Sequence, residues 1–498
     1  VALAIPHSDP TGGRPSIGAA PGPDGPAGPD RLRWTGAGGT LLVTTAAWAG
    51  AAAPPAAALP LAAGVAGTGL LVLSWVLLAL DVHRGRAGPS GRWLTGTLAL
   101  WCGPLLLAPP LFSRDLFSYL AQGEIAAAGL DPGAVGPAEA LGPGSATAAR
   151  VDVHWRDAPS PYGPVFGAVA RTIARLTAGD PVTGVLLHRL VAVAGLVLVV
   201  WAVPRLAAAA GAAPRDALLL GVLNPLAPWH AVGGGHNDAL MLGLMLAGTA
   251  VALDALRGAP RWGPFGLGVG LVVLAAGVKL PALVALAVVG TALAHRWGGA
   301  VRHLLLAGAG AVLAVAVGAV AVRLLTGLGS GAPTLPGAAG GPDSWMAPTN
   351  WFGFLAGGIA GPAGARTTPT MIAVGEVAGC GIAVCGTAVV LLRQLRGRIG
   401  AVAALGRALA LVVALGPVVQ PWYLLWAVVP LAAAGPEGRR WTGLVAVVAV
   451  SAVLVPPSAG SFGGRVGELV VGYATGTLLA GAVLVLVRRR RAGAGARG

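Results

Sequence analysis

Apolar runs follow one another along almost the whole of this chain, and every second junction between them is basic. The runs lie near 38–56, 61–80, 93–111, 181–204, 216–232, 238–256, 264–278, 280–294, 303–325, 371–393, 401–417, 421–434, 441–457 and 467–487. A helix needs about 20 predominantly apolar residues to cross a bilayer, so several runs are full spans and others fall short. No water meets an open backbone N–H or C=O inside a bilayer, and continuous apolar runs satisfy those groups by becoming helices. Charged residues make up only 10% of the chain, against about 25% in soluble domains. The expected fold is all-α: a polytopic transmembrane helical protein with about 12–14 membrane helices.

The basic junctions set the orientation. Arg84, Arg86 and Arg92 follow the second run, Arg205 and Arg215 the fourth, Arg257 and Arg261 the sixth, and Arg296 and Arg302 the eighth. Arg393, Arg396 and Arg398 follow the tenth, Arg439 and Arg440 the twelfth, and Arg488 to Arg491 close the last. Basic residues in short loops mark the cytoplasmic side, so the chain reads as a multi-pass plasma-membrane protein with both termini in the cytoplasm. The formal net charge of +15 is therefore a topology signal and not a nucleic-acid footprint. Residues 1–36 are rich in Pro, Gly and Asp without periodicity, and read as a disordered cytoplasmic tail lacking the layout of a secretory signal. Residues 489–498 read as a second cytoplasmic tail. Cys102, Cys380 and Cys385 lie in apolar runs, with neither metal-ligand spacing nor a disulfide framework.

The remaining junctions face outward: 112–180, 232–237, a tight turn at 279–281, then 326–370, 418–421 and 456–468. The first is by far the longest polar interval and holds Asp115, Glu124, Asp131, Glu139, Asp152, Asp157 and Asp180. Within it, Asp115–Gly129 and Val165–Ala178 mix apolar and polar faces and read as short interfacial helices. Trp351–Gly361 is too short to span and reads as a re-entrant segment. No internal repeat and no soluble domain emerges.

Chemistry-bearing residues gather at these outer junctions. Asp115 opens the long loop, with Ser113 placed to cap a short helix and Tyr119 and Gln122 on or near the same face. Two readings fit Asp115: a capping acid paired with Arg114, or a general base that takes a proton from a sugar hydroxyl. Asp152, His154, Arg156 and Asp157 precede a rigid Ser-Pro-Tyr-Gly-Pro turn from which Tyr162 projects, as a structural loop or a substrate-facing wall. Gly233, Gly234 and Gly235 lead into His236, Asn237 and Asp238 at the start of a helix, where an anion site and a capping acid both fit. His230, His236 and Asp238 have no recognised metal spacing, and no metal site is expected.

Lys279 is the only lysine in the chain and sits in the outer turn, either snorkelling to the interface or holding a lipid phosphate. Gln420, Trp422 and Tyr423 form another outer turn, suited to an aromatic belt or to sugar faces. Glu376 is an acid within an apolar run, and no role follows for it from the sequence.

Five motifs then stand in order: Ser-Arg-Asp-Leu-Phe-Ser-Tyr at 113–119, Ser-Pro-Tyr-Gly-Pro at 160–164, Gly-Gly-His-Asn-Asp at 234–238, Val-Lys-Leu-Pro at 278–281 and Gln-Pro-Trp-Tyr at 420–423. Together they resemble the actinobacterial polyprenol-phosphate-mannose-dependent α-1,6-mannosyltransferases of the MptA/MptB type. The resemblance covers nearly all of the chain after the first 36 residues. It implies a GT-C glycosyltransferase spanning 37–488, with 112–180 as the extracytoplasmic catalytic loop and Asp115 as the catalytic acid. It implies transfer of mannose, with inversion, from a β-linked polyprenyl-phosphate-mannose donor to a lipid-linked α-1,6-mannan acceptor of the lipomannan and lipoarabinomannan backbone. No cofactor is implied, and no nucleotide-binding domain is needed for a lipid-phosphate donor.

On that footing Arg114, Lys279 and His236 would hold the donor phosphate. Tyr119, Tyr162, Asn237, Asp238, Gln420, Trp422 and Tyr423 would bind acceptor or sugar. A transferase of another lipid-linked sugar, such as arabinofuranose, and a transporter of lipid-linked sugars are the alternatives. The absence of repeats and the gathering of polar groups outside the midplane favour an enzyme.

Overall fold

The computed structural model describes residues 27–52, 58–86, 88–328, 344–361, 364–458 and 466–495. Every regular element among them is helical. The expected tail at 1–26, and the parts of the outer junctions at 329–343 and 459–465, lie outside the described residues.

Three helices come first: α1 (Ala27–Ala52), α2 (Ala58–His83) and α3 (Gly91–Leu106). The helix α1 reaches back into the stretch 27–36 expected to be disordered. Side-chain anchors account for this. Trp93 Nε1 donates to Asp30 at 2.8 Å, Trp101 Nε1 donates to the Arg33 carbonyl at 2.9 Å, and the Arg33 guanidinium lies over the Trp93 ring.

The long polar interval folds as α4 (Asp115–Ala127), the short turns α5 (Pro137–Leu141) and α6 (Ala146–Arg150), and α7 (Pro164–Thr177). The helix α4 packs along α7, and Leu116, Tyr119, Leu120 and Ile125 are buried. Asp180 caps α8 (Pro181–Ala209) by accepting the Thr183 N–H at 2.7 Å.

The run expected at 216–232 is not one continuous α-helix. After α9 (Pro214–Ala217) come two π-helical turns, Leu218–Val222 and Ala227–Gly233, closed by Leu223 N–H to Leu218 O and Gly234 N–H to Trp229 O. The cause lies in Asn224-Pro225 and Pro228, since proline cannot donate into an α ladder. Asn224 stands in for the lost backbone bonds: its amide donates to the Leu220 and Gly221 carbonyls and accepts the Leu226 N–H. Trp75 Nε1 donates to the Leu219 carbonyl at 2.8 Å.

The chain continues through α10 (Asp238–Ala255), α11 (Trp262–Ala276), a 3₁₀ turn at Leu280–Ala282, α12 (Leu283–Arg296) and α13 (Val301–Thr326). Then follow α14 (Pro348–Ala360), α15 (Gly364–Leu395), α16 (Ala401–Leu415), a 3₁₀ turn at Pro421–Tyr423, α17 (Leu424–Ala433), α18 (Gly438–Leu454) and α19 (Val466–Gly495). The segment expected to be re-entrant is α14, which packs against α15 as a helical hairpin.

Among the described residues, Ala58–His83, Pro181–Ala209, Asp238–Ala255, Val301–Thr326 and Thr367–Leu395 are long and apolar enough to cross a membrane. Five shorter apolar helices accompany them. Much of the outward surface of α13 is apolar, with Leu305, Leu306, Val312, Leu313, Val317 and Val320 exposed. A soluble protein rarely tolerates a patch of that extent, whereas lipid covers it without cost. The fold is thus an all-α, multi-pass membrane architecture.

The helices α8, α10 and α11 pack side by side beneath the turns that carry the motifs. Small residues at the crossings let their backbones approach. A Cβ on Gly243 would run into the Gly195 carbonyl. Gly243→Val is accordingly expected to destabilise the purified protein by about 1–3 kcal/mol, the usual cost of overpacking. A thermal-unfolding scan in detergent checks this, and an unchanged midpoint would count against the crossing.

Candidate active site

The motifs converge where the long loop meets the turns before α10, α12 and α17. Asp115 is the first residue of α4. Arg114 occupies the N-cap position without a side-chain cap bond, and Ser113 accepts the Asp115 N–H at 3.2 Å from one residue further out. The expected Ser113 cap is therefore shifted by one position. Asp115 also has a long-range contact. Its Oδ2 lies 3.2 Å from His236 Nδ1, with Asp115 16% and His236 1% exposed at the side chain. The approach is off the line of a strong hydrogen bond. Ser113 Oγ lies 3.5 Å from the other ring nitrogen, Nε2. Arg114 itself is exposed at the rim.

His236 is held from three directions. Its ring stacks on Trp422 with centroids 3.7 Å apart and planes at 17°. Its backbone N–H donates to the His230 carbonyl at 3.1 Å. The glycines before it make this turn possible: Gly235 has φ 61, and a Cβ on Gly234 would strike the His236 ring at 2.7 Å. His230 is buried beside it, with ring centroids 5.8 Å apart. Among the described residues, no three His, Cys, Asp or Glu side chains converge as metal ligands would.

A second polar centre forms around Lys279. Its ammonium donates to both oxygens of Asp238, at 3.0 and 3.1 Å, and Trp426 Nε1 donates to the same carboxylate at 2.8 Å. The ammonium also lies 4.2, 5.2 and 5.6 Å from the ring centroids of Tyr423, Trp426 and Tyr162. Lys279 thus does not snorkel: its side chain is 12% exposed and its charge is matched by Asp238. The turn is fixed by the Ser-Pro-Tyr-Gly-Pro segment. Gly163 N–H donates to the Val278 carbonyl at 3.1 Å and Val165 N–H to the Gly277 carbonyl at 2.9 Å.

Tyr119 and Tyr162 meet edge to face with Phe166. Burial raises the pKa of both phenols well above its ordinary value, and the nearby Asp115 carboxylate adds to the shift. Both therefore stay protonated at neutral pH and act as hydrogen-bond donors. The Asn237 N–H lies 3.4 Å from the Tyr119 oxygen, while its side-chain amide is buried without a partner.

The Gln-Pro-Trp-Tyr turn is braced from behind. Ser344 donates to the Val419 carbonyl at 2.8 Å, and Asn350 donates to the Ser344 and Pro417 carbonyls. Behind His236 and Trp422 lies a cavity walled by Leu196, Val199, Leu242, Leu425 and Val429.

The expected residues separate by depth. Tyr119, His236, Asn237, Asp238 and Trp422 are buried, whereas Asp115, Tyr162, Gln420 and Tyr423 are half-buried at the opening. Buried Trp422 therefore supports His236 and does not form an open wall. Asp152 and His154 pair with each other at 2.8 Å, and Arg156 donates to the Ala149 and Val151 carbonyls, so these groups fold the loop onto itself. Glu376 is half-buried on α15. One participant escaped sequence reasoning: Arg189, whose only signal was a charge inside an apolar run.

Comparison with known proteins agrees with this convergence. A family model described as "Alpha-(1->6)-mannopyranosyltransferase, N-terminal domain" matches residues 33–295, and one described as "MptB C-terminal domain" matches 349–486. A probable alpha-(1->6)-mannopyranosyltransferase of Mycolicibacterium smegmatis is 39% identical over 424 residues, covering 79% of this chain and 74% of that protein. An alpha-(1->6)-mannopyranosyltransferase of Mycobacterium tuberculosis is 42% identical over 398 residues, covering 70% of this chain and 67% of the relative. Alpha-(1->6)-mannopyranosyltransferase B of Corynebacterium glutamicum is 38% identical over 389 residues, covering 74% and 64%. No solved structure matches the chain. The two family models take in all five converging motifs, and the chain belongs to the MptA/MptB family of α-(1→6)-mannopyranosyltransferases.

Proposed function

We propose that the chain moves mannose from polyprenyl-phosphate-mannose to the 6-hydroxyl of an α-1,6-mannan acceptor at the outer face of the plasma membrane. The observation that carries this reading is the half-buried Asp115 carboxylate, at the mouth of the site and against His236. Residues 37–488 act as one transmembrane unit, both termini are cytoplasmic, and 112–180 is the extracytoplasmic catalytic loop. The helix count of about 12–14 belongs to the same reading.

The acceptor hydroxyl approaches Asp115 from the open side. Asp115 takes its proton as the oxygen attacks the anomeric carbon of the donor. The carbon–oxygen bond to phosphate breaks, and polyprenyl phosphate leaves with the electron pair. Attack from the face opposite the phosphate inverts the β-linked donor to an α-linked product. Arg114 meets the phosphate, and His236 adds to the field from beneath Asp115, where fixed positive and N–H groups stabilise charge that grows during the step. Lys279 adds to that field through the Asp238 pair, although most of its charge is already matched. Tyr162, Gln420 and Tyr423 bind sugar hydroxyls and faces, supported from beneath by Tyr119, Asn237, Asp238 and Trp422. The apolar cavity behind His236 lies between helices, where the first isoprene units of the donor would run.

Membranes from cells expressing the chain, supplied with radiolabelled polyprenyl-phosphate-mannose and an α-1,6-mannoside, are expected to give an extended mannoside. A polyprenyl-phosphate-arabinofuranose donor is expected to go unused. The reverse preference would overturn the assignment of the sugar.

A further inference from the structure

An arginine without a carboxylate partner lies two turns into α8. Arg189 is 1% exposed, the one buried arginine among the described residues. Its terminal nitrogens donate to four carbonyls: Nη1 to Leu106 at 3.1 Å and to Ala108, Nη2 to Pro109 at 3.0 Å and to Gly233 at 2.8 Å. The first three acceptors are left open by the end of α3 and by the prolines that follow, which have no N–H to continue the ladder. A cation there is also favoured by the helix dipole. That much describes a helix cap.

The fourth bond goes further. Gly233 closes the π-helical turn that leads to His236, and its carbonyl also accepts the Leu111 N–H at 3.4 Å. From Leu111 the chain passes through Phe112, held at φ 65, to Ser113 and Asp115. One guanidinium therefore ties together the two backbone segments that carry the catalytic acid and its histidine.

We propose that Arg189 is the positioning residue of the Asp115–His236 pair, setting their separation from below without touching substrate. The proposal rests on Asp115 being the base. The planar fork matters because it reaches four acceptors at once, whereas a lysine offers three donors from a single point. Arg189→Lys keeps the charge and loses the fork. Its kcat is expected to fall about 100-fold, the order that a misplacement of about 1 Å costs, with the donor KM nearly unchanged.

A crosslink separates positioning from mere folding. A Cβ on Gly233 would lie 3.7 Å from the Leu111 Cβ, within the span of about 3.5–4.5 Å that a disulfide bridges. Leu111→Cys/Gly233→Cys is therefore introduced with Arg189→Lys in a chain carrying Cys102→Ala, Cys380→Ala and Cys385→Ala. Transfer is measured in the oxidised and the reduced form of the same preparation, with Asp115→Asn alongside.

The oxidised form is expected to be faster in kcat by about tenfold or more, because the bond restores the lost tie between the two segments. Equal rates in both forms, slow or parental, would overturn the proposal. So would failure of the chain to assemble even when oxidised, which assigns Arg189 to folding alone. If only the oxidised form assembles, its turnover supports the proposal and its inactivity overturns it. Near-parental turnover by Asp115→Asn would instead remove the assignment of the base. An inactive Asp115→Asn beside a parental Arg189→Lys would sink only the inference about Arg189.

Discussion

Asp115→Asn is expected to lower mannosyl transfer by about 10²–10⁴-fold, the range that a positioned general base contributes. Expression, detergent extraction and thermal midpoint should stay close to those of the parent. The substitution keeps size and hydrogen-bonding capacity while removing the basic oxygen. Asp115 lies at the first position of α4, where an acid gains only about 0.3–1 kcal/mol from the helix dipole. The Ser113 oxygen already accepts its N–H, so the helix start survives the change. A capping acid and a catalytic base thus differ in what they forfeit: the first costs stability and the second costs rate. Single-turnover measurements with labelled donor, beside a thermal scan of the same preparation, separate the two.

Breaking the pair of Lys279 and Asp238 is the other change with a large expected effect. Lys279→Met leaves a buried carboxylate held only by Trp426, and Asp238→Asn leaves a buried ammonium among aromatic rings. Removing one partner of a buried pair typically destabilises by about 3–5 kcal/mol. Each single variant should therefore accumulate poorly in the membrane. The double variant, Lys279→Met with Asp238→Asn, removes both charges and should recover most of that stability. Its rate is the informative quantity. Recovery of transfer along with stability means the pair acts mainly as a neutral brace for Tyr162, Tyr423 and Trp426. A stable but inactive double variant would assign Lys279 a direct hold on the donor phosphate.

Much of this architecture is written in the chain at short range. Apolar runs of membrane length specify helices because no other backbone arrangement satisfies its own polar groups in lipid. The five motifs are legible because Pro, Gly, aromatic and charged residues are scarce in such runs and gather at their ends. What stayed out of reach is pairing at a distance. Nothing local ties Asp115 to His236, His236 to Trp422, or Lys279 to Asp238, because each contact depends on how α4, α10, α12 and α17 are brought together. The π-helical turns were foreshadowed by Asn224-Pro225 and Pro228 inside a run otherwise read as one span. Arg189 was foreshadowed too, since an arginine within a span costs about 2.5–3.5 kcal/mol on insertion scales and is retained for a reason. Its four acceptors are carbonyls, which every residue has, so no side-chain pattern could point to them.

The most direct test of the account is the anomeric configuration of the product. The purified protein is reconstituted in liposomes with ¹³C-labelled β-linked polyprenyl-phosphate-mannose and an α-1,6-mannoside, and the new linkage is read by NMR. The expected result is an α-1,6 bond, formed by the parent and formed about 100-fold or more slower with Asp115→Asn. A β-linked product, or movement of intact donor across the bilayer with no new glycosidic bond, would contradict it.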